Sequence, residues 1–523
     1  MPWPSDDRAM NDDDYKRKIK DREELLEAIG PRPRRRKVVM CHGTFDLVHP
    51  GHVRHLTYAK SKADVLVASL TSDEHILKDK YRPFVPEDLR AMNLAALEAV
   101  DYVIIDEQST PLENIAFLQP DYFAKGYEYT SEGGVHPKTR EEIDVLDTYG
   151  GEVLFTPGDV VFSSSRFIEE TPPDIGYEKL HALLDSEGIS FHDIFEGLAR
   201  CDGHKVHVVG DTIVDTHVHG TTIGSSTSKT PTISMKLDER VSLAGGAAVV
   251  ARHIRAAGAE VEFSTVLGDD EMAAFIRHEV EASGIHLRAI TDPTRPTTHK
   301  ANYLAGGYRL LKVDEVDNRP ISERILRQLR DGVAQSDADI VVFSDFRHGL
   351  FARETIPDLI AAIPDGAFRV ADSQVASRWG NILDFQGFDL ITPNEREARF
   401  SLADQDSTVR PLALELFQRA QCGLLILKLG ARGIITYRQP SPQVRAFFTL
   451  DSFADTVVDA VGAGDALLAY ASLALHATGD TVIASVLGAV AAGIACEHDG
   501  NLPVTPAQVT EKLRRVEKRL AYA

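Results

Sequence analysis

The sequence predicts an α/β protein with two units, each built on a parallel sheet covered by helices on both faces. Three observations carry this. Short apolar strands alternate with amphipathic helices from residue 37 onward. Thr171-Pro172-Pro173-Asp174 interrupts that alternation, which then resumes at 206. The 523 residues, 43% hydrophobic and 26% charged, exceed what one ordinary core organises.

In the first unit the pattern reads in order. Residues 1–36 form a polar, acidic tail, a surface helix over 15–29 and a basic run, Arg32-Pro33-Arg34-Arg35-Arg36-Lys37. In so acidic a chain that run reads as a solvated linker rather than a nucleic-acid signal. The body, 37–170, carries expected strands at 38–41, 64–70, 102–105, 122–124 and 152–155. Helices are expected at 51–62, 87–99, 112–118 and from Ser165.

Residues 171–203 read as a linker with a helical connector over 177–198. The second unit, 204–523, opens on a strand at 206–209 and adds strands at 340–344, 368–372, 390–392 and 424–428. Its apolar stretch 483–496 suits a buried helix.

A net charge of −22 argues against nucleic acid as a partner. The four cysteines, Cys41, Cys201, Cys422 and Cys496, form no CxxC pair, which speaks against a disulfide framework or structural zinc. The N-terminal stretch lacks an apolar leader core, and no stretch has the length of a membrane span. A cytoplasmic protein without a membrane partner is the expectation.

Two motifs carry chemistry. The first is Gly43-Thr44-Phe45-Asp46 followed by His49-Pro50-Gly51-His52, between the first strand and the first helix of its unit. Ligands of open α/β sheets bind at this edge. Gly43 permits close backbone approach, Gly51 lets the helix begin against a ligand, and the free helix amides suit a phosphate. His49 and His52 can donate to phosphate oxygens as charge builds on an α-phosphorus.

The second motif is Gly462-Ala463-Gly464-Asp465. Moving a phosphoryl group onto a hydroxyl needs a base and donors to the γ-phosphate. Asp465 at a helix start is the expected base, and the amides of Ala463 and Gly464 the expected donors.

From residue 38 to 168 the chain resembles the cytidylyltransferase-like nucleotidyltransferases, so a Rossmann-like domain is expected. The likeness is greatest to bacterial sugar-phosphate nucleotidyltransferases of the ADP-heptose type. It rests on the first motif with Lys78-Asp79-Lys80, Glu87-Asp88-Leu89-Arg90, Lys125-Gly126 and Ser163-Ser164-Ser165. The resemblance implies that His49, His52 and Lys80 are catalytic and that Gly43, Thr44, Phe45, Gly51, Arg90, Ser164 and Ser165 bind nucleotide. It places Lys125 at the substrate.

From 205 to 513 the chain resembles the ribokinase-like carbohydrate kinases, in particular heptose 7-phosphate kinases. The matching elements are Val209-Gly210-Asp211-Thr212-Ile213-Val214-Asp215, Gly245-Gly246-Ala247-Ala248, Asn394-Glu395-Arg396-Glu397, Lys428-Leu429-Gly430-Ala431-Arg432-Gly433 and the second motif. By this likeness Asp211, Asp215, Gly245 and Gly246 bind sugar, and Asn394 and Glu397 serve magnesium. Lys428, Gly430, Gly433, Gly462, Ala463 and Gly464 then serve the nucleotide. Lys300, Arg309 and Arg347 are candidate partners of a distal sugar phosphate.

Together the resemblances imply a bifunctional heptose 7-phosphate kinase and heptose 1-phosphate nucleotidyltransferase with its domain order reversed. Such an enzyme uses Mg²⁺, ATP and sugar phosphates, and homo-oligomers are expected. Because the first product is a bisphosphate and the second step consumes a 1-phosphate, a phosphatase must act between them.

Three departures bear on substrate. His42-Gly43-Thr44-Phe45-Asp46 replaces the Asn-Gly-Cys-Phe-Asp of the heptose enzymes, leaving ATP and CTP both open for nucleotidyl transfer. Val249 stands where the kinases carry Asn, and Asp372-Ser373-Gln374 replaces Asp-Pro-Lys. A different sugar or polyol phosphate, or one domain reduced to a nucleotide-binding regulatory module, are the alternatives.

Overall fold

The computed structural model describes residues 15–76, 83–126, 130–131, 134–135, 137–156, 176–223, 233–374, 381–439, 446–498 and 500–520. The chain divides into two compact units, Met1–Ile175 and Gly176–Ala523.

The first unit is a five-stranded parallel sheet. Its strands are β1 (Val38–Gly43), β2 (Val65–Thr71), β3 (Tyr102–Asp106), β4 (Tyr122–Gly126) and β7 (Glu152–Thr156), in the order β3-β2-β1-β4-β7. A two-residue hairpin, β5 (Thr130–Ser131) with β6 (Gly134–Val135), lies outside it. Alternate residues of β1 enter different cores: Val39 and Cys41 pack on one side, Val38 and Met40 on the other. That is the signature of a strand buried on both faces. The helices are α1 (Arg22–Ile29), α2 (Pro50–Lys60), α3 (Glu87–Ala95), α4 (Leu112–Leu118) and α5 (Pro137–Asp147). The expected helix from Ser165 lies outside the described residues.

Two expectations for this unit are corrected. Residues 15–29 are not one helix: a single 3-10 turn, Lys16–Lys18, is separated from α1 by Ile19, which forms a parallel bridge to Val103. The expected helix 87–99 ends at Ala95, where Lys18 Nζ takes the carbonyls of Leu97 (3.2 Å) and Val100 (2.8 Å). The basic run is also less solvated than expected. Arg32 pairs with Asp121 at 2.6 Å, and Arg34 donates to the carbonyls of Leu118 and Gln119 at the C-terminal end of α4.

The second unit is built on a nine-stranded sheet. Seven strands run parallel: β12 (His286–Thr291), β11 (Glu260–Leu267), β8 (Lys205–Gly210), β15 (Ile340–Asp345), β16 (Phe368–Ser373), β17 (Leu390–Ile391) and β18 (Leu424–Lys428). The antiparallel strands β19 (Ile434–Arg438) and β20 (Phe447–Leu450) close the edge. Side chains of β15 divide as in the first unit, with Ile340 and Val342 in one core and Val341 and Phe343 in the other.

A separate four-stranded sheet was not anticipated. It orders β10 (Ser234–Gly246), β9 (Thr212–Ile223), β13 (His299–Ala305) and β14 (Tyr308–Glu315). Its strands carry Asp215, His217, Lys312 and Asp314 on one face, alternating with Val214, Val218, Leu311 and Val313, the half-buried strand pattern that a reading for short apolar runs passes over.

Residues 177–198 are not one connector. They form α6 (Gly176–Glu187) and α7 (Phe191–Ala199), separated at Gly188 and restarted by a Ser190–Asp193 capping box. Leu180, Leu184, Ile194 and Leu198 enter the core of the second unit, so these helices are part of it rather than a linker. Ile194 is fully buried there. Ile194→Ala should therefore destabilise the second unit by about 2–5 kcal/mol, read as an earlier urea transition. An unchanged midpoint would show that the connector is dispensable.

Candidate active sites

In the first unit the motif loop leaves β1 at its C-terminal end, as the parallel sheet requires. Pro50 opens α2, and the His49 side chain caps it, Nδ1 accepting from the Gly51 amide at 3.1 Å. This bond leaves the proton of neutral His49 on Nε2, where it can be donated to an anion. The His52 ring stacks on His49 with centroids 3.9 Å apart. His52 Nδ1 donates to the carbonyl of Leu47 (3.1 Å), so its Nε2 becomes a donor only when the ring takes up a second proton. Burial lowers the pKa of both rings, and His52, with His49 beside it, falls to about 4.

Phe45 is buried and sits edge-on to His52, 5.2 Å between centroids, with its ring over Gly43. Its side chain shapes the loop, which leaves its backbone as the part that can face a nucleotide. Arg90 is corrected. It has no exposed surface, and its guanidinium donates to the carbonyls of Val85, Thr44 and Thr71 and to Asp73 (2.6 Å). Arg90 therefore ties the motif loop to β2, and its charge does not face a phosphate. Asp46 anchors the other side by accepting from the amides of Phe84 (3.0 Å) and Val85 (2.8 Å).

Lys125, expected at the substrate, is largely buried and paired with Glu142 at 2.8 Å. Gly43 ends β1 and Thr44 opens the turn before α2, both half-buried. Lys80, Ser164 and Ser165 lie outside the described residues.

The second unit holds a cleft of about 750 Å³ at the strand ends of its large sheet. Asp215, Gly246, Asn394, Glu397, Lys428, Gly430, Gly433, Gly462, Ala463, Gly464 and Asp465 all line it. Gly462, at φ +80°, occupies the left-handed region that begins α14 (Ala463–Thr478), and Asp465 sits in the first turn of that helix. The Asn-x-x-Glu element is a reciprocal cap. Asn394 Oδ1 accepts from the Glu397 amide (2.9 Å), and Glu397 Oε2 accepts from the Asn394 amide (2.7 Å), starting α12 (Glu395–Leu402).

Lys428 links these parts. Its Nζ lies 3.1 Å from Asp372 Oδ1, and Glu397 and Asp465 add to the negative field around it. Burial works against the charged ammonium, but these carboxylates outweigh it and its pKa is raised. Asp465 is pushed up to about 7 by burial and then by Asp372 and Glu397, with Lys428 opposing. That is the range in which a carboxylate serves as a general base at neutral pH.

Sequence reading left Asp372 out of the site. Its signal is position, a carboxylate at the C-terminal end of a parallel strand.

Asp211 is corrected. It does not line the cleft; its buried carboxylate accepts from the amides of Phe346 (3.1 Å), His348 (3.2 Å) and Leu350 (3.2 Å). It fixes the turn after β15 instead of meeting sugar. Gly245 also acts indirectly, since a Cβ there would lie 2.1 Å from Asp215 Oδ2. Its absence lets Asp215 reach the cleft, opposite its register partner Lys300, which lines the cleft too. Arg347 is occupied by Asp345 and Asp384, each at 2.7 Å, and is not available to a distal phosphate. Arg309 is exposed at the edge of the small sheet.

An α/β body that gathers a Gly-Ala-Gly-Asp helix start, an Asn-x-x-Glu cap and a buried lysine at its strand ends defines a ribokinase-like carbohydrate kinase. Residues 204–507 match the pfkB family of carbohydrate kinases, more than half of the sequence, and the chain belongs to that family. Residues 40–169 match the cytidylyltransferase-like family, so a kinase domain and a nucleotidyltransferase domain share one chain.

Among curated proteins, the chain is 41% identical over 156 residues to the bifunctional protein HldE of Trichlorobacter lovleyi, covering 29% of this chain and 30% of that protein. Campylobacter jejuni subsp. doylei HldE is 37% identical over 165 residues, covering 31% and 33%. These matches fall on the cytidylyltransferase-like region, and the chain spans only about a third of the length of these relatives.

Among solved structures, Escherichia coli phosphofructokinase-2 in complex with potassium aligns with TM-score 0.50 at 16% identity, over 60% of this chain and 99% of that one. Its complex with substrates and products aligns equally, at 17% identity. These likenesses bear on the fold. No helix among the described residues is long and apolar enough to cross a membrane.

The charge coupling in the cleft is testable by side-chain carboxyl NMR. Asp465 should titrate near pH 7. Lys428→Met should move the midpoint higher by removing the opposing cation, and Asp372→Asn should move it lower. Three identical midpoints would refute the coupling.

Proposed function

We propose that the chain is a two-activity enzyme that phosphorylates a sugar phosphate, heptose 7-phosphate at C1, and separately couples a sugar 1-phosphate to a nucleotide. The observation that carries the first activity is the cleft itself, where a near-neutral Asp465, the amides at the start of α14, Lys428 and Asp215 meet. Asp465 takes the proton of the sugar hydroxyl as that oxygen bonds to the γ-phosphorus of ATP, whose bond to the bridging oxygen breaks so that ADP leaves. The amides of Ala463 and Gly464 steady the transferring group, and Asp215 with Lys300 orients the sugar.

Mg²⁺ suits the donor set. Asp372 and Glu397 bring hard carboxylate oxygens to the ammonium that also faces Asp465, and among the described residues no group of three or more His, Cys, Asp or Glu is placed to hold an ion by itself. A cation shared with triphosphate oxygens and water fits such a site. Glu397 and Asn394 would hold it, and it would neutralise triphosphate charge.

In the first unit a sugar-phosphate oxygen attacks the α-phosphorus of the triphosphate and pyrophosphate leaves. His49 donates from Nε2, the α2 amides receive phosphate, and His52 takes up a proton as the anion arrives. The likeness to the HldE proteins supports ATP as the nucleotide donor and a heptose phosphate as the acceptor.

Product analysis by mass spectrometry with D-glycero-D-manno-heptose 7-phosphate, ATP and Mg²⁺ tests the kinase. A bisphosphate is expected, with kcat/KM rising with pH to a plateau above about 7 as Asp465 loses its proton. Asp465→Asn should cost about 10²–10⁴-fold in phosphorylation and leave nucleotidyl transfer intact. His52→Ala should cost about 10²–10³-fold in nucleotidyl transfer and spare the kinase. Loss of both activities from one folded variant would refute the two-site reading.

A further inference from the structure

Val249 is 2% exposed and lines the cleft with no polar atom on its side chain. Asn501, in the loop between α15 (Thr481–Cys496) and α16 (Pro506–Leu520), lines the same cleft. Both converge on Gly462. A Cβ placed on that glycine would lie 2.7 Å from Asn501 Oδ1 and 3.8 Å from Val249 Cγ1. Asn501 thus brings a carboxamide from a distant part of the chain to a position that Val249 borders with methyl groups. Gly462 begins the helix whose first turn holds Asp465, so the amide stands beside the catalytic helix start.

The Asn501 oxygen is buried and has no hydrogen-bond partner. A buried carbonyl oxygen left unpaired is unfavourable, and such groups mark places where a ligand or a water completes the bonding. Among the described residues nothing donates to this oxygen, so it is not engaged in holding the loop.

We infer that Asn501 is a specificity-determining residue of the kinase site, accepting a hydrogen bond from a sugar hydroxyl next to the one presented to Asp465. This rests on the sugar-kinase reading above. It makes the cleft selective for a polyhydroxylated substrate despite the apolar residue at 249, because a deoxy analogue would leave the buried amide unpaired.

The test is steady-state kinetics of the full chain with D-glycero-D-manno-heptose 7-phosphate and MgATP. Asn501→Ala and the shape-matched Asn501→Leu should each raise the sugar KM about tenfold, with the ATP KM changed by less than about twofold. Using both keeps the test open if one variant fails to fold by circular dichroism. Adding Val249→Asn to the folded variant should recover a substantial part of the loss, since it returns an amide to the same spot.

An unchanged sugar KM, or an equal rise in the ATP KM, would overturn the inference while the kinase reading stands. A wild-type protein that phosphorylates no sugar phosphate would overturn both.

Discussion

The second unit is organised around one ammonium held among carboxylates at the ends of its parallel strands. Lys428 ends β18, Asp372 lies near the end of β16, Glu397 caps α12 and Asp465 opens α14. Four segments far apart in sequence meet because a right-handed α/β winding delivers every strand end to one edge. Lone carboxylates there would repel one another, and a lone lysine would be costly to bury. The array therefore persists only as a set, and burial together with its surplus negative charge keeps Asp465 poised near neutrality. Basicity and architecture are one arrangement.

The nucleotidyl site of the first unit is organised from beneath. Arg90 and Asp46, both buried, bind the backbone on either side of the motif loop, and Phe45 props the His52 ring. His49 and His52 are thus positioned by residues whose own polar groups are engaged inside the protein or whose rings are buried. Burial holds the pKa of both rings below its ordinary value, so His49 and His52 are neutral at pH 7.

Much of this was legible from local pattern. The strands at 38, 65, 102, 340, 368 and 424 announce themselves as apolar runs, and the two glycine-bearing motifs sit where strand-to-helix turns require them. The small sheet was missed because its strands are not apolar runs: Asp215, His217 and Lys312 alternate with Val214, Val218 and Val313, a pattern that local apolar content alone does not flag. The roles of Arg90, Asp211 and Arg347 were not legible either. A motif marks which residues belong to a site, but not which of them face the ligand.

By itself the sequence determined two α/β units, their order, and the helix starts that carry the two motifs, since these follow from hydrophobic period and turn chemistry over short stretches. Only tertiary structure decided which charges are spent inside the protein and which remain for a ligand. Asp211 turned inward onto three amides while Asp215, four residues on, reached the cleft. Asn501, without any motif, arrived beside Gly462. Burial and pairing depend on neighbours supplied by distant segments, and no local pattern encodes those neighbours.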